Sequence, residues 1–386
     1  MKNIPFHKPI MPDNLNDIYT DSLTSGWLTT GPEVNKFESN LRNIFSSKNT
    51  VCVNSCTAAL HLALKAKGFG PEDKLIAPTY TFVATVEVGE YLGMQCELID
   101  CEKDGFNIDL NIVEHKLKSD PTIKVIIPVH FAGQAVDMKN LLNLADKYGV
   151  FVLEDAAHAF ETVTNVGKVG DTNYAAAFSF YANKNITTGG EGGAISTNDK
   201  VLAEKIRKLS LHGISKDGWN RFKIGNSWEY DISDLGFKYN MTDMSASIGN
   251  WQLKYYQKWL LKRKNIVNRY LVGLGAIEGI ILPKIDFNYH ACHLFIIRID
   301  EKKWSINRNK LIKEINRLGI GTSVHYIPVH MHSYYKKKYK YKPIDYPNAY
   351  MFSKEVISLP LYPRLSEPDV DYIIKNISKI WGDYKL

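Results

Sequence analysis

A chain of 386 residues, 45% hydrophobic and 23% charged, has the balance of a soluble globular protein and more length than one ordinary core accommodates, so two domains are expected. No apolar run approaches the ~18 residues of a membrane span and the opening MKNIPFHKPIMPDN lacks an apolar leader segment, so a cytoplasmic protein with no membrane partner is expected. The net charge of +7 is concentrated in YYKKKYKYKP (334–343), read as a solvated loop; no nucleic-acid motif accompanies it, so no nucleic-acid partner is expected, and a mildly basic surface equally suits a small polyanion such as a nucleotide diphosphate.

From about residue 50 to 200, strand-like runs alternate with helical patterns. The strands are NTVCVN, KLIAPTY, QCELIDC, KVIIPVHF, VFVLEDAA, AAAFSFY and GGAIST; the helices are TAALHLALKAKG, FVATVEVGEYLG, NIVEHKLKS and DMKNLLNLADKYG. Continuous apolar strands separated by helices predict an α/β domain with a largely parallel sheet covered on both faces. A long helical pattern over 243–271 bridges to a second lobe, where CHLFIIRI, RNKLIKEINRLG, TSVHYI and EPDVDYIIKNISKIW predict a smaller α+β unit. The expected division is 1–250, with the N-terminal segment, and 251–386. Cys52, Cys56, Cys96, Cys101 and Cys292 form no C-x-x-C pair and no zinc spacing, and are read as free thiols with no metal role.

Asp155 and His158 follow the strand VFVLED, and Lys184 follows the next strand. In open α/β sheets ligands bind beyond the carboxyl ends of the strands. Taken singly, Asp155 suits a helix cap and Lys184 a snorkelling strand-end lysine. Together they suit pyridoxal 5'-phosphate (PLP): a desolvated lysine attacks the aldehyde, and a carboxylate keeps the ring nitrogen protonated. Ser55, Cys56 and Thr57 lead directly into a helix, whose start is either a phosphate site or simply capped. Ser179 is a second phosphate donor or a strand filler, and Phe82 a stacking ring or a core residue.

The ordered set VNSCTAALHLAL, PTYTFVAT, EDAAHA, FSFYANKNITTGGEGG, LGFKYNMTDMSASIGNWQL and GIGTSVHYIPVH resembles the DegT/DnrJ/EryC1/StrS aminotransferases, PLP-dependent sugar aminotransferases of fold type I. The resemblance runs from SGWLTTGPEVNKFESNL (25–41) to SLPLYPRLSEPDV (358–370). It implies that Lys184 bonds the cofactor and later moves the proton, that Asp155 pairs with the ring nitrogen, that His158 faces the ring near its 3-hydroxyl and that Phe82 stacks on it. Cys56, Thr57 and Ser179 match phosphate-contact positions, with Cys56 where many members carry glycine. Lys238 and Asn240, in GFKYNM, match the segment that reaches the neighbouring subunit's phosphate, which implies a homodimer with shared sites. His325 either lines the sugar or amino-donor site or is a surface-loop histidine; the spacing of His325, His330 and His332 fits no usual metal motif.

The implied reaction takes the amino group of L-glutamate to a nucleotide-linked keto sugar, foremost a 4-keto-6-deoxy hexose, giving an amino sugar for surface polysaccharide. Because a lysine is present where a dehydratase sideline carries histidine, transamination is favoured over dehydration. HGISKDGWNRFKIGNSWEYDI (212–232) resembles a loop of members acting at the sugar 4-position. Two rivals stand beside this reading, a 3-keto sugar aminotransferase and a non-catalytic sensor of PLP or a nucleotide sugar. A dinucleotide binder is disfavoured, since no G-x-G-x-x-G follows the first strand. Glu191 lies one residue farther from the lysine than in many members, because of an extra glycine, so the turn between them is expected to differ.

Overall fold

The computed structural model describes residues 2–214 and 230–386. The short apolar runs form β1 (Asn49–Val53), β2 (Lys74–Pro78), β3 (Gln95–Ile99), β4 (Ile123–Ile126), β5 (Phe151–Asp155), β6 (Ala175–Ser179) and β7 (Gly193–Thr197). Among the described residues they make one sheet in the order β1-β7-β6-β5-β4-β2-β3. Pairing is parallel from β6 across to β3, while β7 is antiparallel to both β1 and β6. β5 and β6 are buried along their whole length, as strands covered on both faces must be. The helix Cys56–Lys67 packs on β6 and β7, where the small side chains of Ala175 and Ala177 meet its buried leucines. It stops at Gly68, and the helix Met138–Tyr148 stops at Gly149; both glycines are left-handed, the conformation that ends a helix cheaply only without a Cβ.

The helix expected over 243–271 is two helices, Asp243–Leu253 and Tyr256–Leu274. The N–H groups of Lys254 and Tyr255 turn back to the carbonyls of Trp251 and Gln252, and Tyr255 leaves helical space at φ −125°, ψ −2°. A second, antiparallel sheet comprises β8 (Ile280–Ile281), β9 (Phe295–Ile299) and β10 (Val356–Leu359). Tyr270, Leu311 and Ile373 bring three helices into its core.

TSVHYI does not form the expected strand. It makes a single bridge, Ser323 to Ser358, and its polar groups then find side chains instead of a ladder. His325 Nδ1 lies 2.8 Å from Ser358 Oγ, and the Tyr80 hydroxyl donates to the His325 carbonyl at 2.9 Å. The chain's start crosses to this region too: Ile4 bridges Ile320, and Phe6 stacks on His325 with ring centroids 5.6 Å apart. YYKKKYKYKP is not a plain solvated loop. Its first part lies in the helix Ser333–Tyr339, anchored by buried Tyr335 and by Lys338 and Tyr339 against Glu90. All five cysteines are free, and among the described residues no helix is long and apolar enough to cross a membrane.

Candidate active site

β5 ends at Asp155, whose backbone is held by Pro128 on one side and His130 on the other. Its side chain is only 5% exposed. The carboxylate accepts from Thr85 Oγ1 at 2.7 Å and from the Ala157 N–H at 3.1 Å. Burial pushes its pKa up; the two hydrogen bonds, nearby Lys184 and His130 oppose that shift. Thr85 sits in the first turn of the helix Ala84–Glu90; with its single O–H given to Asp155 it accepts from Thr81 Oγ1 at 2.8 Å, and its backbone N–H donates to the Phe82 carbonyl at 3.3 Å.

The chain leaves β6 at Ser179 and folds back so that Tyr181 bridges Gly190. Lys184 lies inside this turn, its N–H on the Tyr181 carbonyl at 3.0 Å. Gly189 and Gly190 take φ of +95° and +148°, which side-chain-bearing residues rarely adopt. The extra glycine before Glu191 is thus one of a pair that makes this bend. No hydrogen bond or ion pair holds the Lys184 amine among the described residues. Burial lowers its pKa to about 8, with Cys56 and Asp155 acting in the opposite direction.

Lys184, Asp155 and His158 line one cavity of about 480 Å³. Cys56, Thr57, Phe82, Ser179 and His325 line the same cavity, so it gathers every cofactor and substrate candidate except Lys238 and Asn240. The helix Cys56–Lys67 points its start into this space. Ser55 caps it by accepting from the Ala58 N–H at 3.0 Å, which leaves the Cys56 and Thr57 N–H groups for an anion. β7 comes close enough that a Cβ on Gly193 would lie 2.4 Å from the Ser55 carbonyl carbon. The Cys56 thiol turns to the Ala177 carbonyl at 3.5 Å, and burial raises its pKa. Phe82 is 58% exposed although it borders the cavity, so it is not a core residue.

Lys238 and Asn240 run beside the end of β1, with the Asn54 N–H on the Tyr239 carbonyl at 2.7 Å. Neither lines the cavity of its own chain. Lys238 Nζ donates to Asn240 Oδ1 at 2.8 Å, and Asn240 Nδ2 donates to Thr30 Oγ1 at 2.8 Å. His325 is buried rather than on a surface loop, and burial, then the Lys184 charge, lower its pKa to about 4. Most of the 212–232 loop lies outside the described residues.

Two groups at the site escape a reading of the sequence, Thr85 buried behind Asp155 and Tyr326 in the cavity wall. Thr85 stands three residues after Phe82, a helical spacing that puts both at one helix start. Tyr326 follows His325, lines the cavity, and places its hydroxyl 3.1 Å from His158 Nε2.

A buried acid, an amine with no hydrogen-bond partner among the described residues and a helix start with free N–H groups, all around one cavity, form the donor set expected for PLP. A model of the DegT/DnrJ/EryC1/StrS aminotransferase family matches residues 10–378. The spore coat polysaccharide biosynthesis protein SpsC of Bacillus subtilis is 43% identical over 379 residues, 98% of this chain and 97% of that one. Among solved structures, the PMP form of Spr1654 from Streptococcus pneumoniae is 34% identical with a TM-score of 0.91, covering 99% of this chain and 100% of that one. Helicobacter pylori PseC, an aminotransferase involved in the biosynthesis of pseudoaminic acid, is 25% identical with a TM-score of 0.89, covering 99% and 100%.

Proposed function

The chain belongs to the DegT/DnrJ/EryC1/StrS aminotransferase family, and from that premise we propose that it moves the amino group of L-glutamate onto the keto carbon of a nucleotide-linked sugar, foremost a 4-keto-6-deoxy hexose. The product is a nucleotide amino sugar for surface polysaccharide, a reading supported by the polysaccharide and pseudoaminic acid roles in the names of SpsC and PseC. The cofactor is pyridoxal 5'-phosphate. The observation that carries the reading is that Lys184 and the buried Asp155 face one cavity at the start of a helix.

When bound, the cofactor supplies an electron sink for the pair left as the substrate carbon loses its proton. Asp155, desolvated and oriented by Thr85, holds the ring nitrogen in its cationic form. Burial lowers the pKa of Lys184 Nζ to about 8, so far more of it is neutral near that pH than of a lysine in water; the neutral amine would hold the cofactor's aldehyde and, when free, would take and return the proton of the reacting carbon. The N–H groups of Cys56 and Thr57, with the hydroxyls of Thr57 and Ser179, hold the phosphate. Phe82 offers a ring face to the cofactor. The same reading assigns residues 1–250 to the large cofactor-binding α/β domain and 251–386 to the small C-terminal α+β domain. It also has Lys238 and Asn240 serve the partner subunit's phosphate in a homodimer, supported by their position outside the cavity of their own chain.

The test is the visible absorbance of the PLP-loaded protein. L-glutamate is expected to bleach the band and a 4-keto nucleotide sugar to restore it. Restoration by a 3-keto sugar alone would move the reaction to C-3, and a band indifferent to every amino donor would leave a sensor. Thr85→Val is expected to slow turnover about tenfold, because it removes one hydrogen bond to a buried charge. The KM for glutamate should hold; unchanged kcat would show that Asp155 needs no orienting hydroxyl.

A further inference from the structure

Tyr326 is a polar group of the cavity to which this scheme gives no task. Tyr326 borders the cavity, with its ring 6.0 Å from Phe82 and 5.9 Å from Phe131. Its hydroxyl lies 3.1 Å from His158 Nε2. The direction of that hydrogen bond follows from the other side of the imidazole. The Ala132 N–H donates to His158 Nδ1 at 3.2 Å, so Nδ1 carries a lone pair. Burial first, then the charges of Lys184 and His325, hold the imidazolium form well below its usual range. The neutral ring therefore bears its proton on Nε2 and gives it to the Tyr326 oxygen.

The phenol keeps its own proton, because burial and the charge of Asp155 push its pKa up. A hydroxyl that already accepts from His158 has to aim its single O–H elsewhere. No second acceptor for it stands among the described residues. What remains in its reach is the cavity. Both nitrogens of His158 are meanwhile engaged, one by Ala132 and one by Tyr326. The histidine expected near the ring hydroxyl thus has no unspent donor for it, while its neighbour does.

Within the proposed cofactor arrangement, Asp155 takes the ring nitrogen, Lys184 the aldehyde and the helix start the phosphate. The ring hydroxyl is the polar substituent left over. We propose that Tyr326 donates the hydrogen bond to the ring hydroxyl oxygen of the cofactor, with His158 setting the direction of that O–H. This inference rests on the cofactor reading above and extends it to a residue that the reading leaves idle.

The test uses pyridoxamine 5'-phosphate, which binds without a covalent bond, and its 3-deoxy analogue, which lacks the ring hydroxyl. Both are titrated calorimetrically into cofactor-free wild type and Tyr326→Phe. The variant is expected to bind pyridoxamine 5'-phosphate about tenfold more weakly, the worth of one hydrogen bond, and to bind the 3-deoxy analogue as the wild type does. Equal loss for both ligands would make Tyr326 a packing residue and overturn the proposal, as would no loss for either. A wild type that binds neither ligand would overturn the cofactor reading itself. The unchanged 3-deoxy affinity also shows that the variant is folded at the site.

Discussion

Lys184→Ala is expected to lower the rate of the glutamate half-reaction by about ten-thousandfold, because on the proposed reading it removes both the covalent anchor and the proton carrier. The fold should tolerate the change. The amine has no hydrogen-bond partner among the described residues, and its burial lowers its pKa to about 8, so the folded chain loses no hydrogen bond or ion pair with it. The measurement is single-turnover bleaching by L-glutamate after loading with PLP, beside thermal unfolding of the cofactor-free proteins. A variant that keeps more than a tenth of wild-type rate would transfer the proton to another group. The wild type offers a second check on the same lysine. Its capture of PLP is expected to accelerate with pH and to level off above about pH 8, since the neutral amine is the nucleophile; a lysine in water would level off near pH ~10.4.

Asp155→Asn is expected to cut kcat between about a hundredfold and a thousandfold, the range seen when one preorganised electrostatic partner is lost. The substitution keeps the shape, and Oδ1 can still accept from the Ala157 N–H. What vanishes is the negative charge that, on the proposed reading, holds the ring nitrogen cationic; Nδ2 in place of Oδ2 no longer accepts from Thr85 Oγ1, whose proton can turn to the Phe82 carbonyl. Burial already penalises that charge in the empty chain, so the cofactor-free variant should unfold no lower in temperature than the wild type. Loss of stability equal to the loss of activity would make Asp155 a structural anchor and remove it from the chemistry.

The main sheet was readable because each of its strands is a short apolar run bounded by polar turns, and because β5 and β6 carry their functional residues at the carboxyl ends. The helix starting at Cys56 was readable from Ser55 before it and Gly68 after it. Local pattern failed where the chain is satisfied from afar. TSVHYI has strand-like residues, yet Tyr80 and Ser358 take its polar groups. The break at Tyr255 has no glycine or proline to announce it. Ile280–Ile281 is too short to show a period. Thr85 and Tyr326 owe their roles to partners 70 and 168 positions away, a distance over which no spacing rule speaks.

Neighbouring residues His325 and Tyr326 are tied to different parts of the molecule. His325 is bound to Ser358 on the small sheet, and Tyr326 to His158 just beyond β5 of the large one. The two bodies are therefore geared through adjacent residues, with no slack linker between these contacts. A displacement of the small sheet would therefore reach the phenol through one peptide unit, and a ligand bound to the phenol would bear on the sheet by the same route. The placement of the small sheet and the aim of the Tyr326 hydroxyl are in that sense a single mechanical coordinate.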